Sequence, residues 1–395
     1  MRWGSLAGWW APDEPTRFKS WDEVIAFVNR YYKELGETTS TRHWNVSPWC
    51  DFRNYMDTTF ADAIHRAGEI CKAEDPHALW GTEGGQCPFA YGWYNYEKVV
   101  RAIDVIEPYN IGDNVEVIRS LNPRTIMMST HGFGGFRSKP GQPLSEKARL
   151  QQKRAVRPVW WGLFHSHYAA LIWDNNEPAN EFVNMNTGKL TVSAETFAPV
   201  LNELRAGIGK LFINAIGGRK QDGIAIHYSQ PSIQAHWLLA NAKHAREWML
   251  KSGGSTDNLG VAVRNSWTKL TEDLGLQYNF VGNEAVESGD LSSGKYKIFI
   301  MPESIAVSPE EVEQIRAFVQ EGGTLVADWR AAELNGRGRD LGNGGQLDDV
   351  FGIAHGSPRS TSNTVEGVGS QGPLNLKGQS LREVHAGDVT VTLAG

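Results

Sequence analysis

The sequence predicts an α/β protein in which short parallel strands alternate with helices. In the first 220 residues, apolar segments of about four residues are each followed by polar residues and then by a helical pattern. From residue 222 onward, β-branched runs again alternate with amphipathic helices. The 395 residues suffice for two or three domains. This alternation is typical of a (β/α)8 barrel or a doubly wound sheet.

Four strand–helix units are predicted in the first part of the chain. The spacing of apolar residues predicts helices over residues 21–35 and 57–71. The predicted strands cover residues 77–80, 103–106, 125–128 and 170–173. In barrel enzymes the chemistry takes place at the carboxyl ends of the strands. The polar residues that follow these four strands are therefore the candidate functional residues of a partial (β/α)8 TIM-type barrel, which we place in residues 1–220.

Residues 221–355 are predicted to form a second, doubly wound α/β domain of flavodoxin-like order. Its predicted strands cover residues 224–228, 276–280, 296–300 and 324–327. Ser308, Pro309 and Glu311 have the spacing of a helix start with a capping box. The glycine-rich turns do not match a dinucleotide-binding or P-loop motif, so no nucleotide site is predicted. Residues 356–395, rich in Gly, Ser and Thr, are predicted to begin a β-rich segment.

Composition excludes several classes of function. The net charge is −6, and the 39 basic and 45 acidic residues are interspersed, which argues against a nucleic-acid partner. No apolar run approaches the roughly 18 residues of a membrane span, and the N-terminus lacks a signal pattern, so a cytoplasmic location is predicted. The three cysteines lack metal-ligand spacing, and neither a metal nor a cofactor is expected.

The aromatic content gives a first indication of the ligand. The chain has 15 Trp, 11 Tyr and 15 Phe. Aromatic rings suit flat amphipathic ligands such as sugars, although they also fill cores. Trp160 and Trp161 lie in a helical pattern and are predicted to be core residues. His165 and His167 lack a third ligand at useful spacing, so a zinc site is not predicted.

Two glutamates are the candidate catalytic residues. Glu83 follows the first predicted strand and precedes a glycine pair, which would let a ligand approach the backbone. It is either a catalytic or sugar-binding carboxylate or a loop carboxylate bound to backbone N–H groups. Glu107 follows the second strand, and its alternative role is a buried ion pair with Arg101 or Arg119.

Other strand ends supply candidate substrate-binding residues. Tyr109 and Asn110 follow Glu107, His131 follows the third predicted strand, and Trp173 with Asp174 ends the fourth. An aromatic platform beside a hydrogen-bond acceptor suits a pair of sugar hydroxyls. For His131, a loop histidine with satisfied hydrogen bonds is the alternative.

Several of these segments resemble family 42 glycoside hydrolases, the β-galactosidases. In the first part, the similar segments are Asp75-Pro-His-Ala-Leu-Trp-Gly-Thr-Glu83-Gly, Asp104-Val-Ile-Glu107-Pro-Tyr-Asn and Leu171-Ile-Trp-Asp174. They resemble the later half of that family's barrel. In the second part, Gly223-Ile-Ala-Ile-His-Tyr-Ser-Gln-Pro-Ser232 and Gly322-Gly-Thr-Leu-Val-Ala-Asp328 resemble its trimerisation domain.

The resemblance implies a glycoside hydrolase that acts on a carbohydrate through paired carboxylates, for which Glu83 and Glu107 are the best candidates. It also implies a homotrimer. The third predicted strand ends in Ser129 and His131, where the family carries its nucleophilic glutamate, and only the later four strands of the barrel have a match. The chain is therefore expected to be part of a longer protein. The alternative is a non-catalytic carbohydrate-binding or scaffold protein that retains the fold.

Overall fold

The computed structural model describes most of the chain from residue 47 onward. The described residues are 47–90, 94–109, 113–131, 145–173, 182–184, 186–218, 220–241, 259–328, 330–341, 344–358, 364–365, 379–380 and 389–393. The chain divides into two compact units. The first unit comprises Thr58–Pro88 and Tyr94–Gln221, and the second comprises Met1–Asp57, Phe89–Trp93 and Asp222–Gly395. The predicted helix over residues 21–35 lies outside the described residues.

The first unit contains a four-stranded parallel sheet, here called sheet A. Its strands are hydrogen-bonded in chain order: β1 (Gly81–Gly85), β2 (Val105–Pro108), β3 (Ile126–His131) and β4 (His167–Ile172). The helices that alternate with them are α1 (Ser47–Glu74), of which only the part from Thr58 onward belongs to this unit, α2 (Tyr96–Val99), α3 (Asn114–Leu121) and α4 (Glu146–Phe164). Within the described residues β1 and β4 are the edges of an open sheet. The predicted α/β class with parallel strands is confirmed.

A short hairpin and a helical segment follow sheet A. These elements are β5 (Val183–Asn184), β6 (Lys189–Leu190), α5 (Val192–Glu203), a π-helical turn (Leu204–Ile208), α6 (Gly209–Ala215) and a 3-10 turn (Ile216–Gly218). Val159 of α4 and Phe197 of α5 are both buried and belong to one small apolar core. Helix α5 is thereby packed on α4, the helix that precedes the last strand of sheet A.

The first strand of sheet A lies later in the sequence than predicted. The apolar segment 77–80 was expected to be the strand, but β1 is the glycine-rich Gly81–Gly85. Trp80 donates its backbone N–H to the Asp104 carboxylate at 3.1 Å, and its indole donates to the Ile64 carbonyl at 2.9 Å. A Cβ at position 81 would lie 1.8 Å from the Val105 carbonyl oxygen, so only glycine permits β1 and β2 to approach this closely.

The second unit contains another four-stranded parallel sheet, here called sheet B. Its strand order is β11-β9-β7-β8. The strands of this unit are β7 (Ile224–Tyr228), β8 (Tyr278–Gly282), β9 (Ile298–Met301), β10 (Ala306–Val307), β11 (Thr324–Ala327), β12 (Leu334–Asn335), β13 (Ile353–Pro358), β14 (Thr364–Val365), β15 (Gln379–Ser380) and β16 (Val389–Leu393). Its helices are α7 (Gln230–Asn241), α8 (Leu259–Asp273), α9 (Asn283–Glu287), α10 (Pro309–Gln320) and α11 (Asp348–Phe351).

Sheet B and helix α10 share an apolar core. Phe299 and Met301 of β9 and Ile315 and Phe318 of α10 belong to one buried cluster. Burial of each such side chain stabilises the fold by about 1.5–3 kcal/mol. Helix α10 begins at the predicted position, and the capping box between Ser308 and Glu311 is present. No helix of the described residues is both long and apolar enough to cross a membrane.

Candidate active site

A pocket of roughly 730 Å³ lies within the first unit and is open to solvent. Its walls come from three strands of sheet A and from helix α4. The lining residues are Glu83, Glu107, Pro108, Tyr109, Ser129, Thr130, His131, Ala155, Pro158, Trp161 and Trp173. The volume lies within the range of small-molecule sites, about 300–1,000 Å³. Five of the seven predicted site residues are therefore brought together: Glu83, Glu107, Tyr109, His131 and Trp173. The other two, Asn110 and Asp174, lie outside the described residues.

Glu107 is the buried carboxylate of this pocket. It lies in β2 and is 5% exposed. Its Oε2 accepts the backbone N–H of Gly84 at 2.9 Å, which fixes the carboxylate against β1. The arginines proposed as alternative partners bind other carboxylates, Arg119 binding Glu116 and Arg101 lying within 3.8 Å of Glu97. The carboxylate of Glu107 is thus positioned by the backbone of the neighbouring strand.

Glu83 is the exposed carboxylate of the pocket. It lies in the middle of β1, one residue before the glycine that Glu107 contacts. Because the nitrogen of Gly84 is bonded directly to Glu83, covalent geometry limits the separation of the two carboxylates to about 10 Å. Gly84 has a φ of +74°, a left-handed conformation that suits glycine. Its N–H is the donor that Glu107 accepts, so the glycine that follows Glu83 connects the two acids.

His131 is the polar group at the end of β3. It is buried, and its Nε2 lies 2.8 Å from the hydroxyl oxygen of Ser129. Burial lowers the pKa of His131, and the Glu107 carboxylate offsets part of that effect. The imidazole is therefore neutral at neutral pH, which suits a hydrogen bond to an uncharged hydroxyl. The structure places His131 within β3 rather than in a loop after a shorter strand.

Two exposed aromatic rings flank the carboxylates. Tyr109 is 50% exposed, and its ring covers Gly84, where an added Cβ would lie 3.3 Å from the phenolic oxygen. Trp173 is 57% exposed and donates its backbone N–H to the His131 carbonyl at 2.9 Å. Exposure of two large rings beside buried polar groups is typical of a ligand site rather than of a core.

Trp161 is a pocket residue that the sequence prediction missed. It was predicted to be core together with Trp160, but it is only partly buried and lines the pocket from α4. Ala155 and Pro158 line the same wall. Their spacing of three residues puts them on one helical face with Trp161, and this pattern was available in the sequence. Trp160 lies off that face and contacts Phe164, with ring centroids 6.1 Å apart.

Comparison with solved structures identifies the fold. The chain is similar to a β-galactosidase from Bacillus circulans sp. alkalophilus, with a TM-score of 0.58, 17% identity, and coverage of 89% of this chain and 50% of that one. A GH42 β-galactosidase from G. stearothermophilus gives a TM-score of 0.54 at 15% identity, with 90% and 51% covered. An exo-β-1,4-mannosidase from Opitutaceae bacterium strain TAV5 gives 0.52 at 10% identity, with 96% and 70% covered.

The structural neighbours are thus glycosidases of more than one specificity. No protein-family model and no curated protein sequence matches the chain. The chain spans about half the length of the β-galactosidases that it matches. At these identities the likeness concerns the fold alone, and in that respect the predicted resemblance is confirmed: the chain has the fold of the corresponding part of the GH42 β-galactosidases.

Proposed function

We propose that this chain carries the active site of a glycoside hydrolase of the β-galactosidase type. The observation that supports this most directly is the pairing of Glu83 and Glu107 in one solvent-open pocket, within about 10 Å of each other. Glycoside hydrolysis requires two carboxyl groups, about 5–5.5 Å apart for retention and about 6.5–9.5 Å for inversion. The upper limit set by the Gly84 contact is compatible with both arrangements.

The two carboxylates have different surroundings, which suggests different roles. The Gly84 N–H holds the Glu107 carboxylate in place. A nucleophile must be held in this way to attack the sugar at a defined angle, and a general base must be held in this way to activate a water molecule. Glu83 is exposed and lines the same pocket, where a general acid can give its proton to the departing glycosidic oxygen. His131 and the rings of Tyr109 and Trp173 would hold the sugar by hydrogen bonds and stacking.

The remaining parts of the proposal concern assembly and location. We propose that the second unit, with its sheet B, is an oligomerisation element and that the protein acts as a homotrimer in the cytoplasm. The domain limits at residues 220 and 355 belong to the same proposal. The similarity to the β-galactosidases covers 89–90% of the chain and so extends over both units, which supports assigning both units to one enzyme of this type.

A second candidate is a non-catalytic carbohydrate-binding protein. One specific observation favours it: β3 presents Ser129 and His131 to the pocket, with no carboxylate. A site with aromatic rings, a neutral imidazole and two acids can bind a sugar without cleaving it. Binding without turnover would then be the function of the same pocket.

Release of nitrophenol from a 4-nitrophenyl β-D-galactoside distinguishes the two candidates. We expect turnover by the wild-type chain and a loss of about 10²–10⁴-fold in kcat for Glu83→Gln and for Glu107→Gln. Glu195→Gln, an exposed carboxylate in α5 outside the pocket, is the matched control and should retain full activity. Sugar affinity measured by calorimetry with no turnover in the wild type would instead support the binding protein, and absence of both would remove the proposed function.

A further inference from the structure

The pocket has two chemically different sides. The strand side, formed by β1 and β2, presents the carboxylates of Glu83 and Glu107. The helix side is formed by Ala155, Pro158 and Trp161 of α4, which packs on β3 and β4. Three apolar side chains on one helical face make this wall unlike the strand side. A ligand that fills the pocket therefore meets acids on one side and an apolar aromatic surface on the other.

The size of the pocket bears on what reaches the helix side. A volume of roughly 730 Å³ exceeds what one sugar ring occupies and lies in the upper part of the range for small-molecule sites. If a glycosidic bond lies at the carboxylates, the sugar ring and its leaving unit extend from that point in opposite directions. One of the two units can then lie against Trp161 of the α4 wall.

Trp161 is held in a fixed orientation by the partly buried His165 and, behind it, the buried Glu116 and Arg119. Its indole stacks on the imidazole of His165, with ring centroids 3.9 Å apart and planes inclined by 17°. Nδ1 of His165 is hydrogen-bonded to the Glu116 carboxylate, which also accepts from Nε of Arg119 at 2.9 Å.

The charges of Glu116 and Arg119 stabilise this arrangement of side chains. Burial by itself raises the pKa of Glu116, but the Arg119 guanidinium and then His165 outweigh burial and lower the pKa to about 2. Glu116 therefore stays ionised and hydrogen-bonded at every pH at which a sugar site would work. An indole fixed in this way loses little conformational freedom when a ligand packs on it.

We propose that Trp161 forms a second subsite, which binds a flat or apolar unit attached to the sugar, and that His165 is a positioning residue for it. The ligand class is a glycoside with an aromatic aglycone or with a neighbouring sugar that presents its C–H face. The indole face packs on such a unit by dispersion and C–H contacts. This inference rests on the proposed function, because it assumes a sugar at Glu83 and Glu107.

The test compares two ligands that differ only in the aglycone. Affinities of the full chain for phenyl β-D-galactoside and methyl β-D-galactoside are measured by calorimetry, together with KM and kcat for the nitrophenyl galactoside. We expect Trp161→Ala to weaken phenyl galactoside binding about tenfold and to raise KM for the aryl substrate similarly, while methyl galactoside affinity stays unchanged. Trp161→Phe should recover most of the lost affinity. Trp160→Ala is the matched control in the same helix and should alter neither ligand.

The role of His165 is tested by combining substitutions. His165→Ala should weaken phenyl galactoside binding less than Trp161→Ala does, and it should cause no further loss in the Trp161→Ala background, because it acts through the indole. Equal weakening of both ligands by Trp161→Ala, or no effect on either, would overturn the subsite while leaving the proposed function intact. If the wild-type chain binds neither galactoside, the proposed function fails, and the subsite fails with it.

Discussion

Sheet A and sheet B both carry polar residues at their strand ends, but among the described residues those of sheet A border a large open pocket and those of sheet B a very small cavity. Beside sheet B, His227 contacts Ser304 Oγ at 2.9 Å through Nδ1 and Glu311 Oε1 at 2.8 Å through Nε2. These three residue types also occur in hydrolytic triads. All three residues are at most 1% exposed, and the cavity beside His227 measures only about 10 Å³.

The two groups of polar residues differ in the open volume beside them rather than in their residue types. Glu311 is bound by His227 and by the backbone N–H of Ser308, so its oxygens are used within the fold. Glu107 also accepts a backbone N–H, but it lines a pocket of roughly 730 Å³ with exposed aromatic rings. A polar network that is closed in this way contributes to stability, whereas one that borders open space can act on a ligand.

The sharpest test of this comparison is to remove one buried carboxylate beside each sheet, Glu107 beside sheet A and Glu311 beside sheet B. Glu107→Gln should reduce kcat about 10²–10⁴-fold, equivalent to about 3–5 kcal/mol in the barrier, because the amide cannot act as nucleophile or base. Its stability should change by less than about 1 kcal/mol, since the amide oxygen can still accept the Gly84 N–H. Turnover and urea unfolding measured on the same sample check both parts. A variant that unfolds early would show that Glu107 is primarily structural.

Glu311→Ala should have the opposite profile. Its removal deprives His227 and the Ser308 N–H of their buried acceptor, which should lower the free energy of unfolding by about 3 kcal/mol. Glu310→Ala, the adjacent exposed residue of the same helical turn, is the matched control and should cost less than about 0.5 kcal/mol. Urea unfolding measures both, and galactoside affinity should be unaffected by either. Equal stability of the two variants would contradict the structural role given to this network.

A third prediction concerns acid sensitivity in the first unit. His167 is 3% exposed, and burial lowers its pKa to about 4, although its Nδ1 is hydrogen-bonded to the Gly162 carbonyl. Among the described residues its Nε2 has no hydrogen-bond partner. The neutral form is favoured in the folded state, so the unfolded chain binds more protons between pH 6.5 and pH 4. Stability must fall as the pH falls through that window.

The size of this effect follows from the shift. Between pH 7.5 and pH 5 the wild type should lose about 2 kcal/mol that the non-titrating His167→Gln does not lose. His65→Gln, which replaces an exposed histidine of α1, should follow the wild type. Urea unfolding of the three proteins at the two pH values measures the difference. Parallel losses in the wild type and His167→Gln would refute the assignment of the acid sensitivity to this residue.

These regions also show what local sequence patterns can predict. Strands β7 and β11 have their predicted bounds because each is a compact apolar segment. Strand β1 was predicted too early in the sequence. Its first residue, Gly81, is required by the close approach of Val105, and this contact between residues distant in the sequence leaves no local pattern. Glu83, Glu107 and His131 were found because each directly or closely follows a predicted apolar segment, although the structure places all three within the strands. Trp161 was missed, because only tertiary packing determines which face of α4 borders a pocket.

The helix cap beside sheet B provides the smallest and most local test of a closed network. Ser308 Oγ accepts the N–H of Glu311 at 3.1 Å and donates to Glu287 at 2.7 Å. Ser308→Ala should lower the free energy of unfolding by about 1 kcal/mol, and Ser308→Thr should retain most of the stability because it keeps the hydroxyl. If Ser308→Ala and Glu311→Ala were combined, the loss should be smaller than the sum, because each removes part of the same capping box. Full additivity in urea unfolding would show that the two residues act independently. The buried polar groups of sheet B would then be separate contacts rather than the single closed network that distinguishes sheet B from sheet A.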